Sequence, residues 1–94
     1  MKHIGDKVIF EGKVLGTISD LVEERQSIRD RGNRIWRIEK IDRGNKEYLV
    51  RIGYYTDYHK RKKQGFIWPN RPPTLSADIL ESLLNKAKQK GIIK

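Results

Sequence analysis

One segment near the C-terminus carries a helical pattern of apolar residues, and it restricts the folds that this chain can adopt. Ser76 is a suitable N-cap, Asp78 follows it near the positive end of the helix dipole, and Gly91 is a natural stop. The segment's apolar stripe is formed by Ile79, Leu80, Leu83, Leu84 and Ala87. We therefore predict an amphipathic helix over residues 76–90 that must pack its stripe against another element.

The residues before this helix are patterned as strands. Residues 1–24 predict an N-terminal hairpin whose two strands, Lys7 to Phe10 and about Val14 to Val22, reverse near Gly12. Residues 25–33 are polar, basic and without period, which predicts a mobile loop, and residues 34–71 contain basic and aromatic strands that end with Phe66-Ile67-Trp68. At 94 residues the chain has room for one domain. We expect an α+β fold: a curved antiparallel sheet of about five strands covered by one C-terminal amphipathic helix.

The central strands also predict a register. Tyr48, Val50, Ile52 and Tyr54 alternate onto one face, which we expect to be core. A loop at Arg43-Gly44-Asn45 would place Ile38 opposite Val50, Trp36 opposite Ile52 and Arg37 opposite Arg51. Because like charges directly opposite each other are destabilising, that last pair predicts an anionic ligand bound across the sheet.

Charge is the strongest functional signal. Lys and Arg number 21 against 12 acidic residues, a net charge of +9. Residues 25–71 hold 14 of the basic residues, five of the acids and seven of the eight aromatic residues. Basic side chains neutralise phosphates and aromatic rings stack on unpaired bases, so this mixture predicts a nucleic-acid partner, with single strands preferred over duplex. The candidate binding residues are Arg34, Arg37, Arg51, Tyr55, Tyr58, Lys60, Arg61, Lys62, Lys63, Trp68 and Arg71.

Other classes of function are less well supported. The chain has no Cys, two His without metal-ligand spacing and no phosphate-binding glycine loop, so we expect no catalysis and no cofactor. A minimal metal nuclease would need the acids Glu39, Asp42, Glu47 and Asp57 to converge. The main alternative is a small interaction or regulatory module, of the kind that phages encode, which docks its basic face on an acidic protein.

We also expect a cytoplasmic protein, with association with the nucleoid as one variant of that location. The N-terminus lacks a signal peptide, and no apolar run is long enough for a membrane span, so neither a membrane nor a small-molecule substrate is expected as a partner. The apolar residues Ile92 and Ile93 either pack on the helix or form a subunit interface, and a homodimer is expected.

From about Arg34 to Lys90 the sequence resembles the DNA-binding domain of the transcriptional coactivators called positive cofactor four. The similar pieces are the strand that ends at residues 50–55, the basic stretch at residues 60–65 before an apolar strand, and the Leu-rich helix after Leu75-Ser76. The resemblance implies a curved sheet backed by a helix, dimerisation through the helices, and single-stranded DNA held by Arg51, Tyr55 and Lys60 to Lys63. The insertion at residues 69–73 and the extra N-terminal hairpin depart from that pattern.

Overall fold

The fold is α+β, with an open antiparallel sheet of four strands and one helix. The computed structural model describes residues 1–30, 32–57, 65–69 and 71–94. The four strands lie in the sheet in the same order as in the chain, so each strand pairs with the one that precedes or follows it in sequence. The elements are β1 (Lys7–Phe10), β2 (Lys13–Ile28), β3 (Gly32–Gly44), β4 (Glu47–Thr56) and α1 (Ala77–Gln89).

The prediction of about five strands is one strand too many. Of the segment Phe66-Ile67-Trp68, only Ile67 pairs with the sheet, through two hydrogen bonds of 2.9 Å with the backbone of Thr56. The next residue, Trp68, lies against a face of the sheet instead of continuing along its edge, and Pro69 has no N–H to donate. Pairing therefore stops after a single bridge.

The predicted loop at residues 25–33 is also wrong, because residues 25–28 and 32–33 lengthen the hairpin of β2 and β3. Arg25 pairs with Ile35 and Ser27 pairs with Asn33, so the strands remain paired up to the turn. One of the polar side chains has a partner on the neighbouring strand: Gln26 accepts a hydrogen bond of 2.9 Å from the Trp36 indole N–H. A polar segment without an apolar period thus forms part of a two-stranded ribbon, because its side chains are mostly half-buried or exposed.

The register between β3 and β4 differs from the predicted one by two residues. The hairpin turns at Asn45 and Lys46, which have φ values of 52° and 64°, and a bulge lies between Asp42 and Gly44. A two-residue turn brings Trp36 opposite Tyr54 instead of Ile52. In this register Ile38 lies opposite Ile52, and Arg37 opposite Gly53, while Arg51 lies opposite Glu39. The predicted pair of opposed arginines does not form.

Helix α1 covers one face of the sheet, which we call the helix face, and the opposite side is the rear face. The core of the helix face is formed by Val22, Trp36, Ile38, Tyr54, Leu83, Ala87 and Ile92. At the start of α1, Ser76 accepts a hydrogen bond from the Ile79 N–H, as the sequence predicts. At its end, Gly91 has a φ of 75°, and Ile92 and Ile93 fold back onto the core. The apolar tail therefore packs within its own chain.

One contact ties α1 to the polar side of β2. The carboxylate of Glu24 accepts hydrogen bonds from Lys86, at 2.7 Å, and from the Ser82 hydroxyl. The Lys86 ammonium and then the Ser82 hydroxyl lower the pKa of Glu24, because both stabilise the ionised carboxylate. This contact holds the helix over β2 and β3.

Only the Tyr54 end of β4 belongs to the core under α1, and this corrects the predicted core face of that strand. Tyr54 is buried, but Tyr48, Val50 and Ile52 on the same face are 45%, 44% and 39% exposed. The contacts of α1 are with β2 and β3, so only the end of β4 next to Trp36 is covered. A strand can alternate correctly and still have nothing packed on its apolar side.

Candidate nucleic-acid interface

The rear face contains an ion-pair network across three strands. Arg37 lies in its middle, 1% exposed, with its Nε 3.0 Å from Glu23 and its Nη1 3.1 Å from Glu39. Glu39 is fully buried and also binds Arg51 at 2.7 Å. The backbone carbonyl of Lys2 accepts a further hydrogen bond from Arg37. Two arginines and two glutamates thus neutralise one another inside the protein.

Aromatic side chains cover this network. The Trp68 ring centroid lies 4.1 Å from the Arg51 guanidinium and 5.1 Å from the Tyr55 ring, edge to face. Tyr55 is 5% exposed, and its hydroxyl accepts a hydrogen bond of 3.1 Å from the Lys2 N–H. The indole lies directly against Gly53, where a Cβ would overlap its ring. The Trp68 ring therefore covers part of the ion-pair network.

Four of the predicted binding residues meet on this rear face, although they do not form an open surface. Arg37, Arg51, Tyr55 and Trp68 contact one another or the same acids, as described above. Tyr55, one of the candidate binding residues, is buried. Arg37 is buried as well, so neither side chain can contact a nucleic acid in this conformation.

A second group of arginines lies at the turn end of the β2–β3 hairpin, which we call the basic end. Arg25 and Arg29 are exposed there, and Arg34 is half-buried. None of the three forms an ion pair with an acid in the described part of the chain. The Arg34 guanidinium lies 4.8 Å from the Tyr54 ring centroid and 5.8 Å from that of Trp36, which fixes its position without neutralising it.

A cleft of about 350 Å³ opens between these residues. The residues that line it are Arg25, Gln26, Ser27, Asn33, Arg34, Ile35 and Phe66. By strand alternation, Arg25 lies on the rear face and Arg34 on the helix face, so the cleft lies at the end of the sheet between them. Cations, hydrogen-bonding groups and a ring in one open cleft are the chemistry that a nucleotide needs, for its phosphate, its base edge and its base face respectively.

The described residues that flank the tetrabasic segment lie at or beside the basic end. Asp57 accepts hydrogen bonds from the Asn33 N–H at 2.6 Å and the Asn33 amide at 2.9 Å, and Ile67 is paired with Thr56. Tyr58, Lys60, Arg61, Lys62 and Lys63 lie outside the described residues, between these two anchors. Arg71 is exposed in the segment that leads to α1.

Sequence reasoning missed Arg25, Arg29 and Phe66 as candidate site residues. The two arginines fall in the segment predicted as a mobile loop, and Phe66 falls in the predicted fifth strand. Only the charge distribution indicated Arg25 and Arg29 as binding residues, because it placed both in the basic middle of the chain.

The acids do not assemble a metal site. Glu39 is held by two arginines, Asp57 binds Asn33, and Asp42 accepts a hydrogen bond of 2.8 Å from the Gly44 N–H. Among the described residues, no group of three or more His, Asp or Glu side chains could hold a metal ion.

Comparisons with known proteins add no assignment: no family model matches the chain, and no curated protein or solved structure is detectably similar to it. The resemblance to positive cofactor four therefore stays a prediction. Within the described residues, no helix is long and apolar enough to cross a membrane.

Proposed function

We propose that this protein binds nucleic acid without catalysis, prefers single strands, and uses the basic end of its sheet. The observation that supports this most strongly is the contrast between two sets of arginines. Arg37 and Arg51 are neutralised by acids on the rear face. Arg25 and Arg34 lie near the hairpin turn on opposite faces of the sheet and Arg29 lies in the turn, and none of them has an ion pair to a described acid. Positive charge left unpaired at one place favours a polyanionic ligand.

The cleft supports the preference for single strands. Its one ring, Phe66, is half-buried and offers a stacking surface to a base only if the base is unpaired. Reading of a duplex major groove by α1 is disfavoured, because Lys86 and Lys90 on that helix are paired with Glu24 and Asp20. A strand of unpaired nucleotides fits a short cleft flanked by arginines better than a duplex does.

The tetrabasic segment Lys60 to Lys63 belongs to the same proposal. Both of its described flanks, Asp57 and Ile67, are bonded at or beside the basic end. Its four positive charges add to the charge available for phosphate contacts. The site proposed here replaces Arg37 and Tyr55 of the predicted set with residues of the hairpin turn.

Fluorescence anisotropy with a labelled oligonucleotide, single-stranded and as a duplex, tests the proposal. Arg34→Gln should weaken single-strand binding about tenfold, the loss expected for one charged contact of about 1.4 kcal/mol. Arg43→Gln is the matched control, because Arg43 is an exposed arginine of the same strand at its opposite end. It should change the affinity less than twofold.

Two outcomes would contradict the proposal. Equal losses for both variants would mean that net charge, and not the basic end, attracts the oligonucleotide. Absence of binding to either oligonucleotide at low salt would favour the alternative predicted from the sequence, a module whose basic face docks on an acidic protein.

A further inference from the structure

Within the described part of the chain, the outer edge of β4 has unpaired backbone groups over most of its length. Among the described residues, only the bridge between Thr56 and Ile67 covers this edge. Both the N–H and the carbonyl of Thr56 bond Ile67, so they point away from β3. Because the direction of these groups alternates along a strand, those of Tyr48, Val50 and Ile52 point outward too.

The same edge exposes apolar side chains on both faces. Tyr48, Val50 and Ile52 project onto the helix face beyond the reach of α1, and Leu49 on the rear face is 39% exposed. A ten-residue edge strand of this kind is a template for pairing with another strand unless something covers it. The other edge, β1, has only four residues.

We propose that a second copy of this chain pairs with β4, antiparallel and about a two-fold axis perpendicular to the sheet, to form a continuous eight-stranded sheet. The axis places both helices on the same side, and the exposed apolar residues of the two β4 strands adjoin between them. This interface uses β4, whereas the resemblance to positive cofactor four implies contact through the helices.

Charge complementarity selects the register. With Leu49 opposite its own copy, Tyr48 lies opposite Val50, and Glu47 lies opposite Arg51, each twice across the axis. The Arg51 side chain binds Glu39 and is still 25% exposed, so it can also donate a hydrogen bond to the partner's Glu47. The strand from Glu47 to Thr56 has one acid and one base, so two copies with a net charge of +9 each repel least here.

Disulfide trapping tests the register, because the chain has no Cys of its own. Non-hydrogen-bonded residues that face each other in an antiparallel pair have Cα atoms about 4.5 Å apart, within the range that a disulfide bridges. Leu49→Cys should form a covalent dimer under mild oxidation. Val14→Cys, an exposed position on β2, is the control and should stay monomeric on a non-reducing gel.

Light scattering after size exclusion tests the association itself, without nucleic acid. The wild-type protein should have twice its chain mass of 11.1 kDa. Val50→Asp, at a position that lies opposite Tyr48 in this register, should reduce this to one chain mass, whereas Ile9→Asp, at an exposed isoleucine on the opposite edge strand, should leave the dimer intact. Circular dichroism confirms that both variants are folded.

A wild-type monomer at every concentration would overturn the proposal, as would dimers that both Asp variants disrupt equally. A dimer that Leu49→Cys fails to trap would overturn the register. Because oligonucleotide binding is measured separately, failure of the dimer leaves the proposed function standing.

Discussion

Arg37 and Glu39 lie two residues apart on β3 and form an ion pair of 3.1 Å in which neither side chain reaches solvent. Burial of two charges is costly, and the pair is kept by a second partner for each: Glu23 for Arg37 and Arg51 for Glu39. The charges in the network balance, so its two arginines contribute nothing to attraction of an anion. The rear face is thus a structural feature of the fold.

Loss of one member of this network should be strongly destabilising. We expect Arg37→Leu to lower the free energy of unfolding by about 3–5 kcal/mol, because it leaves Glu39 buried with less compensation. Urea denaturation followed by circular dichroism measures the change. Arg43→Leu, at an exposed position, is the control and should change stability by less than about 0.5 kcal/mol. A loss for Arg37→Leu no larger than the control's would contradict the structural role.

We predict that replacement of Gly53 lowers stability only while the Trp68 ring is packed against this residue. Gly53→Ala places a methyl group where the indole ring lies, so it should displace Trp68 and shift its fluorescence emission to the red. In a Trp68→Ala background the same substitution should cost little stability. A double-mutant cycle in urea measures the coupling between the two residues. If Gly53→Ala lowers the free energy of unfolding equally in both backgrounds, the Trp68 ring is not the reason that position 53 requires a glycine.

Salt dependence reports the number of phosphates contacted. For single strands the logarithm of the binding constant falls with the logarithm of salt concentration by about 0.7 per contact. Arg25→Gln should reduce that slope by about 0.7, while Arg43→Gln should leave it unchanged. A titration series in sodium chloride measures both slopes. An unchanged slope for Arg25→Gln would remove this residue from the interface.

The contact of Glu24 with Lys86 and Ser82 predicts a loss of stability in acid. The pKa of Glu24 is lowered in the folded protein, so its contribution is fully present above its unfolded pKa, ordinarily about 4.3, and disappears as the pH falls through the lower folded value. Glu24→Gln should therefore be less stable than wild type at neutral pH, and the difference should shrink below about pH 4. Thermal denaturation at a series of pH values measures the difference. A difference that does not change with pH would contradict the ionic contribution.

What could be predicted from the sequence was local. The helix follows from its cap at Ser76, its apolar stripe and the stop at Gly91, all within 16 residues, and the first hairpin follows from Gly12 between two apolar runs. The register of β3 and β4 was missed because it depends on a two-residue turn at Asn45-Lys46 and on a bulge between Asp42 and Gly44, and together these shift every pair by two residues.

The site was harder to predict because burial is not a local property. Alternation showed correctly that Tyr55 and Arg51 share a face, but the covering of that face depends on Trp68 and the N-terminal residues, which are distant in sequence. In the same way, Tyr48 and Val50 have a core pattern and remain exposed because α1 lies over β2 and β3. Charge composition predicts a polyanionic ligand, but it cannot distinguish arginines that are paired with acids from arginines that are not.

The sequential order of the strands has a consequence for the way the molecule forms. Each hairpin can close as soon as its second strand exists, since no pairing waits for a distant segment, and local topology of this kind favours rapid folding. The helix arrives last, so Trp36 and Ile38 stay open to water until Leu83 and Ile92 are in place. During synthesis, this interval is when the unfinished chain is most exposed to aggregation.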